Sequence, residues 1–515
     1  MNRRNVLVFT FCFILVFSPF VLPIHTFAKK DYTPLSVHLT WQHDPKTTMT
    51  ISWRTVDATE SIVQYGKDDS FGSEEAGVFA IWHHVELTDL TPDTIYHYRV
   101  GNGETWSEHY SFKTGTIGKH TRFIAWGDSR HFRDVRRSVV DAVKNINFDL
   151  SIFTGDFVDA GRYASQWYEG LADFAPVIRN IPFMSILGNH EDNHSNYYEF
   201  FALPEKEEYY SFNYGAIHFS MLHSCIPDYG GTFDEEIDWL INDLEIHENY
   251  DWKVVAMHRP AFSSSQRNAQ GDYDDLKSLF VPIFEQYGVD LVFSGHDHFY
   301  ERLHKNNITY MITAGAGAPL YSYLPFYKVP ESVFGVSKNH AVFIEVYENQ
   351  LNLKAFDINQ TIFDTFTINR ITKPDLQVTN LPTTHTHLVN ESKDITISIS
   401  NMGEENITLE TKATIQISNG SSWEINIPFL NINESVNFTY KWVAPGLGAY
   451  NWKITLDTED LIDEVVEENN IFELNFIAIE ETIEKTSFIL PDLWGFLVVL
   501  SALMITVSII KKRKK

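Results

Sequence analysis

Five short polar clusters, each closing an apolar run, follow one another along the middle of the chain. They are Gly127-Asp128-Ser129-Arg130, Gly155-Asp156-Phe157-Val158-Asp159, Gly188-Asn189-His190-Glu191, His258-Arg259-Pro260 and Gly295-His296-Asp297-His298. First-row metal ions accept carboxylate, imidazole and amide oxygen, and a close pair of them needs one carboxylate that can bridge. Asp156 suits the bridge, because it ends the second run and sits between the first and third clusters in chain order. Asp128 and His298 then complete one metal site, and Asn189, His258 and His296 the other. One such tetrapeptide alone is weak, but five in register read as a two-metal hydrolase site.

The runs that must position these groups are short, β-branched and aromatic: Arg122 to Trp126, Asp149 to Thr154, Ile181 to Leu187, Trp252 to Met257 and Val289 to Ser294. Such runs are expected as buried strands of an open α/β sheet, whose carboxyl ends share one crevice. Helical segments are expected at Phe132 to Asn145, Ser165 to Ile178, Asp234 to Ile246 and Asp274 to Tyr287, so 119–370 reads as a layered α/β domain. Glycines 127, 155, 188 and 295 precede proposed site residues, where the backbone must turn sharply out of a strand.

Two flanking regions alternate with period two. Val37, Leu39 and Trp41, then Met49, Ile51 and Trp53, then Tyr96, Tyr98 and Val100 predict a β-sandwich over 33–115. Ile395-Thr396-Ile397-Ser398-Ile399, Ile415-Gln416-Ile417 and the set Val436, Phe438, Tyr440 and Trp442 predict a second over 374–478.

At 515 residues several domains are expected, and 44% hydrophobic with 14% aromatic residues excludes a disordered chain. Arg3, Arg4, the apolar run from Val6 to Ile24 and Thr26-Phe27-Ala28 have the anatomy of a secretory signal over 1–28. Leu493 to Ile510 carries no charge and runs into Lys511-Lys512-Arg513-Lys514-Lys515, as a membrane helix (493–510) with a cytoplasmic basic tail (511–515) would. The body is then extracellular and held at the cell surface by a single pass. A net charge of −28 argues against binding nucleic-acid polymers. Of two cysteines, Cys12 leaves with the signal, so Cys225 has no internal partner. Eight Asn-x-Ser/Thr sequons, at Asn193, Asn307, Asn359, Asn390, Asn406, Asn419, Asn433 and Asn437, suit a glycoprotein.

The five clusters resemble the metallophosphoesterases, and within them the purple acid phosphatases, most specifically through Gly295-His296-Asp297-His298-Phe299-Tyr300-Glu301-Arg302. Tyr209-Tyr210-Ser211-Phe212-Asn213-Tyr214-Gly215 with His218-Phe219 is similar to the strand between that family's third and fourth blocks. His83-His84-Val85-Glu86-Leu87-Thr88-Asp89-Leu90 and Tyr96-His97-Tyr98-Arg99-Val100-Gly101 resemble its N-terminal, fibronectin-III-like domain. The third domain resembles a CARDB-type module through Pro374-Asp375-Leu376-Gln377-Val378, Asn401-Met402-Gly403 and Glu464-Val465-Val466-Glu467-Glu468-Asn469-Asn470, as a stalk or a contact for cell-surface carbohydrate or protein.

The resemblance implies a β-sandwich, a layered αββα metallophosphoesterase and a second β-sandwich, with two divalent or trivalent metals (Fe, Zn or Mn). It implies phosphomonoester hydrolysis by direct attack of metal-bound hydroxide on phosphorus. His190 is the group expected to stabilise charge or protonate the leaving group, with Glu191 and Asp192 orienting it and Glu301 as a further supporting residue of the site. One position departs from the family: its tyrosine, three residues after the bridging aspartate, is here Asp159. A carboxylate can bind a hard metal or serve as a hydrogen-bonding loop residue, but the tyrosinate that gives the purple colour is lost. Arg130 stands where many metallophosphoesterases have a histidine and the purple subgroup a glycine. Its fork suits a phosphate oxygen or a salt bridge, with His131 as a further candidate. A phosphodiesterase or nucleotide hydrolase on the same site, and a surface binding protein with a retired site, are the rival readings.

Overall fold

The computed structural model describes residues 30–370, 373–380, 386–403, 405–464 and 467–480. The chain forms two compact units, divided after Arg370.

In the first unit, 35–113 form a sandwich of a three-stranded sheet (Leu35–Thr40, Met49–Thr59, Ala80–Leu87) and a four-stranded one (Ser73–Ala76, Ile62–Gly66, Ile95–Gly101, Tyr110–Lys113). Its alternating Leu39, Trp41, Ile51, Trp53, Tyr98 and Val100 are fully buried. The sandwich is continuous with the next layer: Tyr98 donates to the Arg179 carbonyl at 2.6 Å, Thr40 to the Ala202 carbonyl at 2.6 Å, and Trp82 stacks on Phe200 at 4.3 Å.

As the layered αββα reading expects, the strands of 119–370 form two sheets packed face to face. One has six strands in the order Phe183–Ser185, Leu150–Phe153, Thr121–Trp126, His340–Val346, Gln350–Asp357 and Ile362–Asn369, the first three parallel. The other has seven, Tyr210–Tyr214, Ile217–Leu222, Trp252–Met257, Leu291–Ser294, Ile308–Thr313, Tyr300–Lys305 and Ser332–Val336, with a parallel centre. Phe123 of the first meets Phe219 and Phe293 of the second edge to face, at 5.4 and 6.0 Å.

The strand pleat explains the layering. Val254 and Ala256 point into the core between the sheets, whereas Val255 and Met257 point outward to Leu240, Leu244, Phe280 and Phe284. Those four lie on the helices Asp234–Ile246 and Asp274–Gln286, both of which open with acidic residues that complement the helix dipole. Helices Arg133–Val143 and Ala164–Ile178 cover the six-stranded sheet through Val139, Val143, Trp167, Leu171 and Phe174. A four-layer αββα body results. Three of the five clusters leave the first sheet and two leave the second, so the crevice lies between two sheets.

The second unit packs Leu376–Asn380, Ser392–Asn401 and Ser435–Val443 against five strands, Thr386–Leu388, Ile471–Ile479, Gly448–Thr455, Thr411–Ile417 and Ser422–Ile427. Ile395, Ile397, Ile399 and Ile415 are buried around Trp452.

No helix among the described residues is long and apolar enough to cross a membrane. The expected signal (1–28), membrane segment (493–510) and basic tail (511–515) lie outside the described residues.

Candidate metal centre

Each cluster begins where a strand stops, and main-chain bonds join neighbouring strand ends there, within each sheet and from one sheet to the other. Asp128 N donates to the Gly155 carbonyl at 3.0 Å, Gly295 N to the His258 carbonyl at 2.9 Å, and Ala318 N to the Asp128 carbonyl at 2.8 Å. Asp128, Asp156 and His296 themselves take left-handed backbone conformations, with φ of 57°, 55° and 68°, a strain typical of functional sites. The expectation that the four glycines serve the turn holds for Gly155, at φ 87°. The other three are required by space: an added Cβ would stand 1.9 Å from Thr154 Oγ1 at Gly127, 2.3 Å from Asp156 Oδ1 at Gly188 and 2.4 Å from Asp128 Oδ2 at Gly295.

The ligand atoms of Asp128, Asp156 and His258 lie within 4.8 Å of one another, and all three residues are buried. His258 Nδ1 bonds the Thr154 carbonyl at 2.7 Å, which places its proton there and turns the Nε2 lone pair inward. Nε2 then faces Asp156 Oδ1 at 3.2 Å, Asn189 Oδ1 at 3.1 Å and His296 Nδ1 at 3.2 Å. His298 repeats the device: Nδ1 bonds the Pro319 carbonyl at 2.7 Å and Nε2 faces Asp128 Oδ1 at 3.4 Å.

Oxygens and ring nitrogens of one polarity therefore converge in a buried place, which is costly without a cation among them. Asp156 Oδ2 is buried without a hydrogen-bond donor. This donor set of carboxylates, imidazoles and an amide fits a pair of first-row metal ions. Burial alone would raise the Asp156 carboxyl, but His258, His190 and Arg130 outweigh it and hold it below its ordinary range. Burial, then His258 and Arg267, holds the His296 imidazole neutral, the form that offers a lone pair.

Arg130 reaches over this cluster. Its Nε lies 3.3 Å from Asp156 Oδ2 and its Nη2 3.3 Å from His298 Nε2, so its charge balances the same lone pairs that a first cation would take. Nη1 pairs with Asp159 at 3.2 Å. Asp159 is 44% exposed, and its carboxylate also faces His131 at 3.3 Å, so it acts as an anchor for cationic side chains at the rim. Its carbonyl bonds His190 Nδ1 at 2.6 Å, leaving His190 Nε2 toward the cluster, 3.9 Å from Asp156 Oδ2.

The three residues expected to support the site take different places. Glu191 is buried and accepts four main-chain N–H groups, from Phe157 at 2.8 Å, Asp156 at 3.0 Å, Val158 at 3.4 Å and Gly188 at 2.6 Å. Burial and the Asp156 charge push its carboxyl up, while those donors favour the ionised form. It fastens the second and third clusters to each other. Asp192 does not orient His190; it faces Arg162 at 3.6 Å. Glu301 accepts from Ser264 N at 2.8 Å and Tyr323 OH at 3.3 Å, bracing the loop after the fourth cluster.

Several residues at the site carry no motif and escaped sequence reasoning. Tyr321 stacks on the His298 ring at 4.2 Å, Arg267 Nη1 lies 2.7 Å from His296 Nε2, and Tyr229 OH bonds the Asn189 carbonyl at 3.3 Å. Behind the first cluster, Asp173 gathers Arg133, Arg136 and Arg137, and Arg136 donates to the Ser129 carbonyl at 3.1 Å. A second histidine–carboxylate group, His218, Asp243 and His247, lies elsewhere in the same unit. Its imidazoles stack face to face at 3.9 Å and 14°, so no single ion can lie in both ring planes, and it reads as a hydrogen-bond network closed by Ser211 and Ser220.

Three family models match this chain: the purple acid phosphatase N-terminal domain over 34–114, the calcineurin-like phosphoesterase over 120–300 and CARDB over 373–474. Mouse (Mus musculus) acid phosphatase type 7 is 30% identical over 345 residues, covering 57% of this chain and 75% of the relative. Purple acid phosphatase 21 of Arabidopsis thaliana is 26% identical over 348 residues, 59% of this chain and 78% of the relative. Among solved structures, a purple acid phosphatase from yellow lupin (Lupinus luteus) seeds superposes with a TM-score of 0.58 at 19% identity, covering 66% of this chain and 75% of that one, a likeness of fold.

Proposed function

The chain belongs to the purple acid phosphatases and is a dinuclear metallophosphoesterase, and on that premise we propose that it hydrolyses phosphomonoesters outside the cell while anchored to the membrane. The convergence of Asp156 Oδ1, Asn189 Oδ1, His258 Nε2 and His296 Nδ1 carries the catalytic part of this reading. Asp128, Asp156 and His298 would hold one cation, and Asp156, Asn189, His258 and His296 the other. When bound, such a pair activates water near neutral pH and neutralises phosphate charge.

The remaining steps belong to side chains. Arg130, displaced from Asp156 and His298 when a cation takes those lone pairs, offers its fork to a phosphate oxygen. Asp159 keeps that guanidinium at the rim. The Asp159 carbonyl fixes the His190 Nδ1 proton, so Nε2 is the nitrogen through which a proton passes to the leaving oxygen as the bond to phosphorus breaks. A retired binding protein would not need these groups in register.

The surface location rests on the secretory-type segment 1–28 and the uncharged run Leu493 to Ile510 with its basic tail. The CARDB module serves as a stalk or contacts surface carbohydrate or protein. Assay of metal-loaded protein against monoesters, diesters and nucleotides, with a chelator control, tests the reading. Phosphate release from no ester under any metal would overturn it.

A further inference from the structure

Asp297 separates the two histidines of the last cluster and is fully buried. Its bonds go to the segment that follows the fourth cluster. One oxygen, Oδ2, accepts from Ser263 Oγ at 2.6 Å and from Tyr273 OH at 3.0 Å, and both of those residues are buried as well. They stand at the two ends of a loop whose short helix, Gln266–Ala269, carries Arg267. A single carboxylate oxygen therefore ties this loop at its neck. The other oxygen, Oδ1, is buried, takes no hydrogen bond and lies 3.8 Å from Arg267 Nη1. A buried carboxylate is costly without a counter-charge, and Arg267 is the cation that faces it.

Arg267 stands between this carboxylate and the metal centre. Its Nη1 also lies 2.7 Å from His296 Nε2, and its Nη2 lies 3.3 Å from Tyr321 OH. His296 turns Nδ1 toward His258 Nε2 at 3.2 Å, the place where a cation would be held. A neutral imidazole that gives its Nδ1 lone pair keeps its one proton on Nε2, and a guanidinium N–H cannot share a bond with that N–H. Arg267 then needs another acceptor, and Asp297 Oδ1 is the one beside it. We propose that Asp297 is a positioning residue of this site: it closes the 263–273 loop and holds Arg267 by one side of its fork, leaving the other side to take an oxygen of the substrate phosphate. Asp297 thus does for an anion-binding arginine what the Thr154 and Pro319 carbonyls do for His258 and His298. The inference rests on the phosphatase reading for its effect on turnover and not for its effect on anion binding.

Calorimetry of inorganic phosphate binding to the full metal-loaded chain tests it. Arg267→Ala is expected to weaken binding by about tenfold, the worth of one charge-assisted hydrogen bond. Asp297→Asn keeps the volume and an acceptor for Ser263 and Tyr273 but not the charge, and is expected to keep both metals and to weaken phosphate by about fivefold. In an Arg267→Ala background the same change is expected to cost almost nothing, because the residue it acts through is gone. Tyr273→Phe, which removes one hydroxyl from the same oxygen and keeps the ring in the core, is expected to act alike by a smaller factor, and it carries the test where Asp297→Asn does not fold. In turnover of a monoester the loss should appear in KM more than in kcat. Loss of metal from Asp297→Asn, phosphate binding unmoved by these variants, or an equal loss with and without Arg267 overturns the proposal. Phosphate binding that follows the expected pattern without turnover of any ester overturns the phosphatase reading and leaves the role of Asp297 standing.

Discussion

Nε2 of His258 lies 3.2 Å from Oδ1 of Asp156, and the Thr154 carbonyl fixes the ring so that both atoms present lone pairs. A cation or a second imidazole proton relieves the contact, so metal and proton compete for the same place. Purified protein is expected to hold two metal ions per chain and to lose phosphatase activity to a chelator. Asp156→Asn should lose metal. His190→Ala should keep it and lower turnover by about a hundredfold. Equal metal loss in both variants would remove the distinction drawn between holding metal and serving the leaving group.

Asp159 occupies the position of the family's tyrosine and is bound to Arg130 and His131. Iron-loaded protein should therefore show no strong charge-transfer band in the visible, and Asp159→Tyr should introduce one. A purple wild-type protein would mean that another phenolate reaches the metal.

Burial by itself would raise the Asp173 carboxyl, but bonds from Arg133, Arg136 and Arg137 outweigh burial and bring it down to about 2. The folded value lies below the unfolded one near 4, so the stabilisation is complete above about pH 4 and is lost as pH falls toward about 2. The amount is about 2 kcal/mol. Asp173→Asn should lower stability at neutral pH and flatten this part of the acid dependence, measured by denaturant unfolding at a series of acid pH values. Identical slopes in the two proteins would show that the cluster contributes no linkage.

Truncation before Leu493 should release an active enzyme from membranes, because the metal clusters all precede Arg370 and the first unit has its own core. A truncated protein that folds and binds metal yet stays inactive until returned to a bilayer would point to a membrane-borne substrate.

The sequence by itself determined the strand ends and the groups that follow them. Trp252–Met257 and Asp234–Ile246 appear where periodicity puts them, because burial on a pleated or helical face is a local pattern. What it could not determine is which strands lie side by side. Val254 and Val255 read alike along the chain, yet one packs between the sheets and the other under a helix, and the division of the five clusters between two sheets follows from that long-range pairing. The same limit hid the space around Gly127, Gly188 and Gly295, which is set by Thr154, Asp156 and Asp128 folded against them. Arg267 and Tyr321 sit in segments without periodicity or motif. Only the tertiary structure brings them to His296 and His298, since contact across a crevice depends on where strands from distant parts of the chain come to an end.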